Sequence, residues 1–126
     1  MKFAKIVFWV AGIYGLLVIT PLYFMFERVG QTSPPAITHP EYYYGFVGTA
    51  FAWQLAFLVI ATDPARYRPL IFACMVEKFS FLIAVYVLYA QHRIGTQILA
   101  FGSIDGLLGI LFVASFFALR GNRKTV

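Results

Sequence analysis

The stretch LIFACMVEKFSFLIAVYVLYA, residues 70–90, decides the fold because it is long enough and apolar enough to cross a lipid bilayer. A transmembrane helix needs about 20 residues to span a hydrocarbon core of about 30 Å. Runs of similar length and character lie at residues 6–26, 42–62 and 98–119. The sequence therefore predicts an all-α fold, a polytopic integral membrane bundle of four helices.

The overall composition is typical of a membrane protein. Hydrophobic residues make up 61% of the 126 residues, charged residues only 12%, and the mean hydropathy is +0.79. In soluble domains about a quarter of the residues are charged. The connections at 27–41, 63–69 and 91–97 are too short to fold independently. We therefore expect a single transmembrane domain over residues 1–126, with no separate aqueous catalytic module.

The start of the chain and its cysteine content exclude two other interpretations. The stretch MKFAKIVFWV, residues 1–10, has the lysines of a signal peptide, but its apolar run is too long and no A-x-A-like cleavage site follows. We expect a retained first helix. Cys74 is the single cysteine, which excludes an internal disulfide and a Cys-x-x-Cys redox pair. Thiol–disulfide chemistry is therefore disfavoured.

Basic residues are distributed unevenly between the two sides of the predicted bundle. One side holds Lys2, Lys5, Arg66, Arg68, Arg120, Arg123 and Lys124, and the other holds Arg28 and Arg93. By the positive-inside rule, both termini and the 63–69 connection are expected in the cytoplasm. This topology accounts for the net charge of +5, so no nucleic-acid partner is expected.

Prolines mark the predicted second helix and the loop before it. Pro40 and Glu41 suit the first turn of a helix, and Thr38 is a candidate N-cap residue. The loop GQTSPPAITHP, residues 30–40, holds three of the six prolines in the chain. We expect this loop to be extended or turn-rich and poor in helix.

Glu77 and Lys78 place two charges inside the apolar 70–90 run. Each central charge costs about 2.5–3.5 kcal/mol on an insertion scale, which offsets the gain from the apolar residues of this run. Because neighbouring helical residues point about 100° apart, the two side chains are expected to have different partners. Lys78 is expected to snorkel to the cytoplasmic boundary. Glu77 is expected to face other helices along a stripe of small residues: Ala73, Cys74, Ser80 and Ala84.

Polar residues of the four runs fall into two levels when their depth is counted from the ends of each run. The inner level holds Tyr14, Gln54, Glu77 and Lys78, and the outer level holds Thr20, Tyr86, Ser103 and Asp105. On this count the two carboxylates, Glu77 and Asp105, lie about 10 Å apart along the bundle axis, too far for a hydrogen bond. This distance leaves room for water or a ligand between them, and these eight residues are the candidate ligand-binding site.

Small residues at helical spacing predict where the helices meet. The predicted contact faces are Gly12 and Gly15 in the first run, Gly45, Gly48, Ala52 and Ala56 in the second, and Gly102, Asp105, Gly106 and Gly109 in the fourth.

An alternative interpretation gives the polar residues a purely structural role. In that case Glu77, Gln54 and Tyr14 form interhelical hydrogen bonds with a protonated carboxyl group, and Asp105 does the same with Thr20. His39 and His92 lie in or beside the outer loops, so they do not support a mid-membrane bis-His haem. No metal site and no catalytic residue is indicated, and the cofactor is unknown.

The four-run pattern, with DPARYRPL at 63–70 and EKFSF at 77–81, resembles the small four-helix bacterial inner-membrane proteins of unknown function, including the DoxX-like ones. The resemblance implies the bundle fold and a bacterial plasma membrane, and it transfers no catalytic residue. Small multidrug transporters also have four helices and a membrane-embedded glutamate. Their glutamate lies in the first helix, where this chain has no acidic residue.

Three classes of function fit the sequence. The leading one is a membrane bundle that binds an amphipathic or apolar small molecule, or the helices of a membrane partner, at an interior polar site around Glu77 and Asp105. The second is a proton-coupled small-molecule transporter that acts as a homo-oligomer. The third is a lipid- or quinone-modifying enzyme with one of these carboxyls as acid or base. Membrane lipids are expected partners in each case.

Overall fold

The computed structural model describes residues 2–119, and this part of the chain is almost entirely helical. The helices are α1 (Lys2–Ile19), α2 (Phe26–Thr32), α3 (Pro40–Thr62), α4 (Arg68–Ala90) and α5 (Thr96–Ala118). Helices α3, α4 and α5, and α1 with its extension to Phe24, are long and apolar enough to cross a membrane. The prediction of an all-α integral membrane bundle with four spanning helices is thus confirmed. Arg120, Arg123 and Lys124 lie outside the described residues.

The first spanning segment differs from its predicted bounds of 6–26. Helix α1 begins at Lys2 and ends at Ile19, and the chain continues as a 3₁₀ helix over Thr20–Phe24. Pro21 explains the change, because proline has no backbone N–H and its ring obstructs the preceding turn of an α-helix. Helix α2 begins at Phe26, directly after Met25.

The loop before α3 contains more helix than the sequence predicted. Helix α2 extends to Thr32, so only residues 33–39 of the loop lack helical structure. Pro40 and Glu41 lie in the first turn of α3, as predicted. The predicted Thr38 cap is wrong, because the N-cap residue is His39 and its side chain makes no capping hydrogen bond. His39 Nδ1 instead lies 3.0 Å from Glu41 Oε1.

The four spanning helices form two antiparallel pairs, α1 with α3 and α4 with α5. Helix α1 also packs along α5 and so joins the pairs, whereas α3 and α4 touch at few positions. We call the end with the N-terminus of α1, the turn at 63–67 and the C-terminus of α5 the basic end. The opposite end, with the connections at 20–39 and 91–95, is the loop end.

The core shared by all four helices lies towards the basic end. Phe8 of α1 stacks on Phe112 of α5, with ring centroids 4.4 Å apart, and Phe57 of α3 meets Phe112 edge-on at 5.0 Å. Cys74 of α4 is fully buried in the same cluster. Because this core is confined to one end, contacts nearer the loop end are mostly those within each helix pair.

Glycines set the close approach in each pair. A Cβ added at Gly102 would lie 2.7 Å from Val85, and one added at Gly15 would overlap the Gln54 side chain. The predicted small-residue faces of α1 and α5 are therefore confirmed. The predicted face of α3 is wrong: Gly45 and Ala52 are exposed, and the buried face is Val47, Ala50, Gln54, Phe57, Ile60 and Ala61.

Candidate functional site

Lys78 lies on the buried face of α4, together with Ile71, Cys74 and Val85. The residue itself is only 3% exposed. The expectation that Lys78 snorkels out of the bundle is therefore wrong. Glu77 lies at the edge of this face, and Ser80, which shares its predicted small-residue stripe, is exposed.

The Lys78 ammonium group lies between two carboxyl groups. Its Nζ atom is 3.3 Å from Oδ1 of Asp105 and 3.6 Å from Oε2 of Glu77. The contact with Asp105 is a hydrogen-bonded ion pair. The contact with Glu77 is an ion pair whose distance is too long for a hydrogen bond. The expectation that Glu77 and Lys78 have separate partners is wrong, since Lys78 contacts both acids. We call these three residues the ion cluster.

The packing of α4 against α5 explains how Lys78 reaches Asp105. A Cβ added at Gly109 would lie 3.2 Å from Lys78 Cβ. These two positions are therefore level, which means that they lie at the same height along the bundle axis. Asp105 precedes Gly109 by one helical turn, which is about 5–6 Å along the axis towards the loop end. The flexible lysine side chain spans this distance and therefore points away from the basic end.

The register also corrects the predicted separation of the two carboxylates. The same close contacts pair Gly102 with Val85 and Gly106 with Leu82. Glu77 is then five residues, or about 7.5 Å, from the level of Asp105, rather than about 10 Å. The Lys78 ammonium lies between the two carboxyl groups and contacts both of them.

The ion cluster carries an unbalanced charge in an apolar setting. With all three groups ionised, two carboxylates share one ammonium, which leaves a net charge of −1. The Lys78 side chain is 4% exposed, whereas those of Glu77 and Asp105 are 21% and 19% exposed. Charges at this depth are costly unless they are paired. The cluster can therefore accept a further cation or a proton on the accessible side of its carboxyl groups.

Phe57 completes the surroundings of the ammonium group. Lys78 Nζ lies 5.1 Å from the centre of the Phe57 ring, within the range of a cation–π contact. Phe57 is absent from the eight candidate residues that the sequence indicates. One signal was available, because Phe57 lies three residues after Gln54 and so shares its helix face.

Tyr14 and Gln54 lie at the level of Asp105. The Phe8–Phe112 stack fixes the antiparallel register of α1 and α5, so residue 14 is level with residue 106. Gln54 is level with Gly15, against which it packs. Two residues of the predicted inner level, Tyr14 and Gln54, thus lie level with Asp105, so its assignment to a separate outer level is wrong. Glu77 and Lys78 lie four to five residues nearer the basic end.

Gln54 does not form the interhelical hydrogen bonds predicted by the interpretation that gives the polar residues a purely structural role. Its Nε2 donates to the carbonyl oxygen of Ala50 in its own helix at 2.8 Å. Its buried Oε1 has no hydrogen-bond partner among residues 2–119, and the same is true of Glu77 Oε2. A direct Glu77–Gln54–Tyr14 network is therefore absent from the described part of the chain.

The remaining outer-level residues lie apart from the ion cluster. Tyr86 and Ser103 are hydrogen-bonded to each other across α4 and α5, with their oxygens 2.9 Å apart. Ser103 also donates to the carbonyl oxygen of Leu99. Thr20 is exposed at the start of the 3₁₀ helix and forms no hydrogen bond with Asp105 in the described chain, so the predicted Asp105–Thr20 pair is wrong.

The described residues hold no group of three or more His, Cys, Asp or Glu side chains that can bind a metal ion. Comparisons of the chain with protein-family models, curated proteins and solved structures found no match.

Proposed function

We propose that this protein binds an amphipathic small molecule with a cationic group at the ion cluster. The observation that carries the proposal is the position of a single buried ammonium group, Lys78, between two carboxyl groups, Glu77 and Asp105. One ammonium neutralises one carboxylate. The second carboxylate is left for a proton or for the cationic group of a ligand, because an unpaired charge is costly at this depth.

The surroundings favour a ligand with an apolar body. The ion cluster lies near the middle of α4 and α5, and most of the other residues of these helices are apolar. The side chains of Glu77 and Asp105 are 21% and 19% exposed, so a molecule dissolved in the bilayer can reach the cluster at its carboxyl groups. The ligand's charged group would contact the accessible carboxyl atoms, and its apolar part would replace lipid contacts.

Mass spectrometry of the protein in native lipid particles tests this proposal. We expect a defined extra mass on the wild-type protein, which Glu77→Gln and Asp105→Asn each reduce. Tyr86→Phe is the matched control, because it removes a polar group shared by α4 and α5 outside the ion cluster. Loss of the extra mass in the control as well, or its retention in both carboxyl variants, would exclude the cluster as the binding site. A bound polypeptide would identify partner helices as the ligand.

A second candidate function is proton-coupled transport by an oligomer, and the shared ammonium group favours it as well. A carboxyl group that lacks a full counter-charge can bind a proton. Exchange of that proton for a cationic substrate would couple proton movement to substrate transport. Uptake into proteoliposomes under a pH gradient tests this candidate. We expect uptake by the wild type and none by Asp105→Asn. Ligand binding without any pH-driven uptake would exclude transport and support only the binding function.

We propose that the protein lies in a bacterial inner membrane with its basic end in the cytoplasm. The supports are the resemblance to DoxX-like proteins and the position of Lys2, Lys5, Arg66 and Arg68 at that end. Labelling of single cysteines with an impermeant reagent in intact cells tests the orientation, in a Cys74→Ala background. A cysteine at Gln91 should be labelled, and one at Arg66 should not.

A further inference from the structure

The loop end carries an open groove that the proposed function does not use. Its volume is about 680 Å³. It is lined by Tyr23, Phe24, Phe26, Glu27, Arg28, Gln31 and Tyr44. These residues come from the 3₁₀ helix, from α2 and from the first turns of α3.

Stacked aromatic rings form one wall of the groove. Tyr44 stacks on Phe26, with ring centroids 5.6 Å apart, and on Tyr23 at 6.5 Å. The wall is held in place because the hydroxyl of Tyr43 donates a 2.7 Å hydrogen bond to the carbonyl oxygen of Leu22. This bond connects α3 to the 3₁₀ helix, so the wall is a preformed surface.

The rim of the groove presents one negative and one positive charge. Glu27 and Arg28 are both exposed, and neither forms an ion pair within residues 2–119. They follow the end of the first spanning segment directly, which places them at the depth of lipid headgroups. An occupant with one anionic and one cationic group complements both charges.

We propose that this groove binds the headgroup of a zwitterionic phospholipid. Arg28 donates to the phosphate, because a guanidinium group suits bidentate hydrogen bonding to phosphate oxygens. The ammonium group lies near the Glu27 carboxylate and against the aromatic wall, which attracts cations through its ring faces. The acyl chains continue along the exposed apolar surface beside Phe24, a residue that is 87% exposed.

Lipid titration of the purified, detergent-solubilised protein tests the proposal, with native mass spectrometry as the readout. The probes are dioleoylphosphatidylethanolamine and the anionic dioleoylphosphatidylglycerol. We expect the wild type to prefer the zwitterionic lipid. Arg28→Gln should weaken binding of both lipids by about tenfold. Glu27→Gln should weaken only the zwitterionic lipid, because phosphatidylglycerol has no ammonium group.

Arg93→Gln is the matched control, because Arg93 is the other loop-end arginine and does not line the groove. This control should bind both lipids as the wild type does. Equal affinity of wild type and Arg28→Gln, or an equal effect of Arg93→Gln, would overturn the proposal. Competition by millimolar inorganic phosphate would also overturn it, by identifying a free phosphate as the occupant. Thermal unfolding of each variant in the same detergent verifies that the fold is intact.

Discussion

The Nζ atom of Lys78 in α4 lies 3.3 Å from Oδ1 of Asp105 in α5, near the middle of both spanning helices. The contact links two helices that already pack closely through Gly102, Gly106 and Gly109. Glu77 lies within 3.6 Å of the same ammonium group. One lysine thus partly neutralises two acids at a depth where little water is available to solvate either carboxylate.

Replacement of Lys78 by methionine should destabilise the bundle. The substitution keeps most of the side-chain volume but leaves Glu77 and Asp105 without their shared cation. Loss of one partner from a buried ion pair costs about 3–5 kcal/mol. The free energy of unfolding in mixed detergent micelles measures this loss.

The double variant Lys78→Met with Asp105→Asn tests whether the loss arises from the ion pair. We expect it to be more stable than the sum of the two single losses implies, because the two residues interact directly. Strict additivity of the single losses would contradict a direct contact. Tyr86→Phe should change the stability by only about 0.6 kcal/mol, which is the average for an interhelical hydrogen bond in a membrane.

Gly102→Ala should destabilise the α4–α5 pair. The added Cβ would lie 2.7 Å from Cγ1 and 2.9 Å from Cβ of Val85, a stiff β-branched side chain that is itself buried. Overpacking of this kind costs about 1–3 kcal/mol. Gly45→Ala is the control, because an added Cβ there has no neighbour within 4 Å. The control should be neutral or gain up to about 1 kcal/mol from helix propensity. The stability of each variant, measured by thermal unfolding, gives the comparison.

Gln54→Met should leave the stability unchanged or raise it. The buried Oε1 atom of Gln54 has no hydrogen-bond partner within residues 2–119, and such an unsatisfied group costs about 1–3 kcal/mol. The bond from Nε2 to Ala50, which the substitution removes, contributes about 0.5–1.5 kcal/mol. A clear loss of stability in chemical unfolding would show that Oε1 has a partner in the membrane, such as water or a ligand.

Arg68→Ala should weaken the basic end of the bundle. Arg68 Nε donates a 2.9 Å hydrogen bond to the carbonyl oxygen of Phe116, in the last turn of α5, and its guanidinium lies 3.8 Å from the centre of the Phe116 ring. Hydrogen bonds from charged groups contribute about 1.5–3 kcal/mol. Arg66→Ala is the control, since Arg66 is exposed and lies over the ring of its neighbour Tyr67. Equal stability of the two variants would contradict a role for the Arg68 contact.

Much of the fold follows from local properties of the sequence. Length and hydropathy determine a spanning helix without reference to the rest of the chain, so four spans were predicted and found. Small-residue patterns located the contact faces of α1 and α5. The pattern failed in α3, where Gly45 and Ala52 face outward, because small residues permit a close approach but do not require one.

The composition of the candidate site also followed from the sequence, but its arrangement did not. Glu77, Lys78 and Asp105 were identified because charges within apolar runs are rare. The predicted depth of Asp105 differed from that of Tyr14 and Gln54 because depths were counted from the ends of each apolar run, as if these ends were fixed membrane boundaries. Helices α4 and α5 begin two residues before those boundaries, at Arg68 and Thr96, and their register follows from glycine packing.

The sequence by itself determined that the chain crosses the membrane in four helices and which of its charges lie within them. Only the tertiary structure decided which member of the Glu77–Lys78 pair is buried and what it contacts. The physical reason is that the two residues point about 100° apart, and the rotation of α4 about its own axis depends on packing against α5. That rotation places Lys78 opposite Gly109, and the length of its side chain then allows it to reach Asp105.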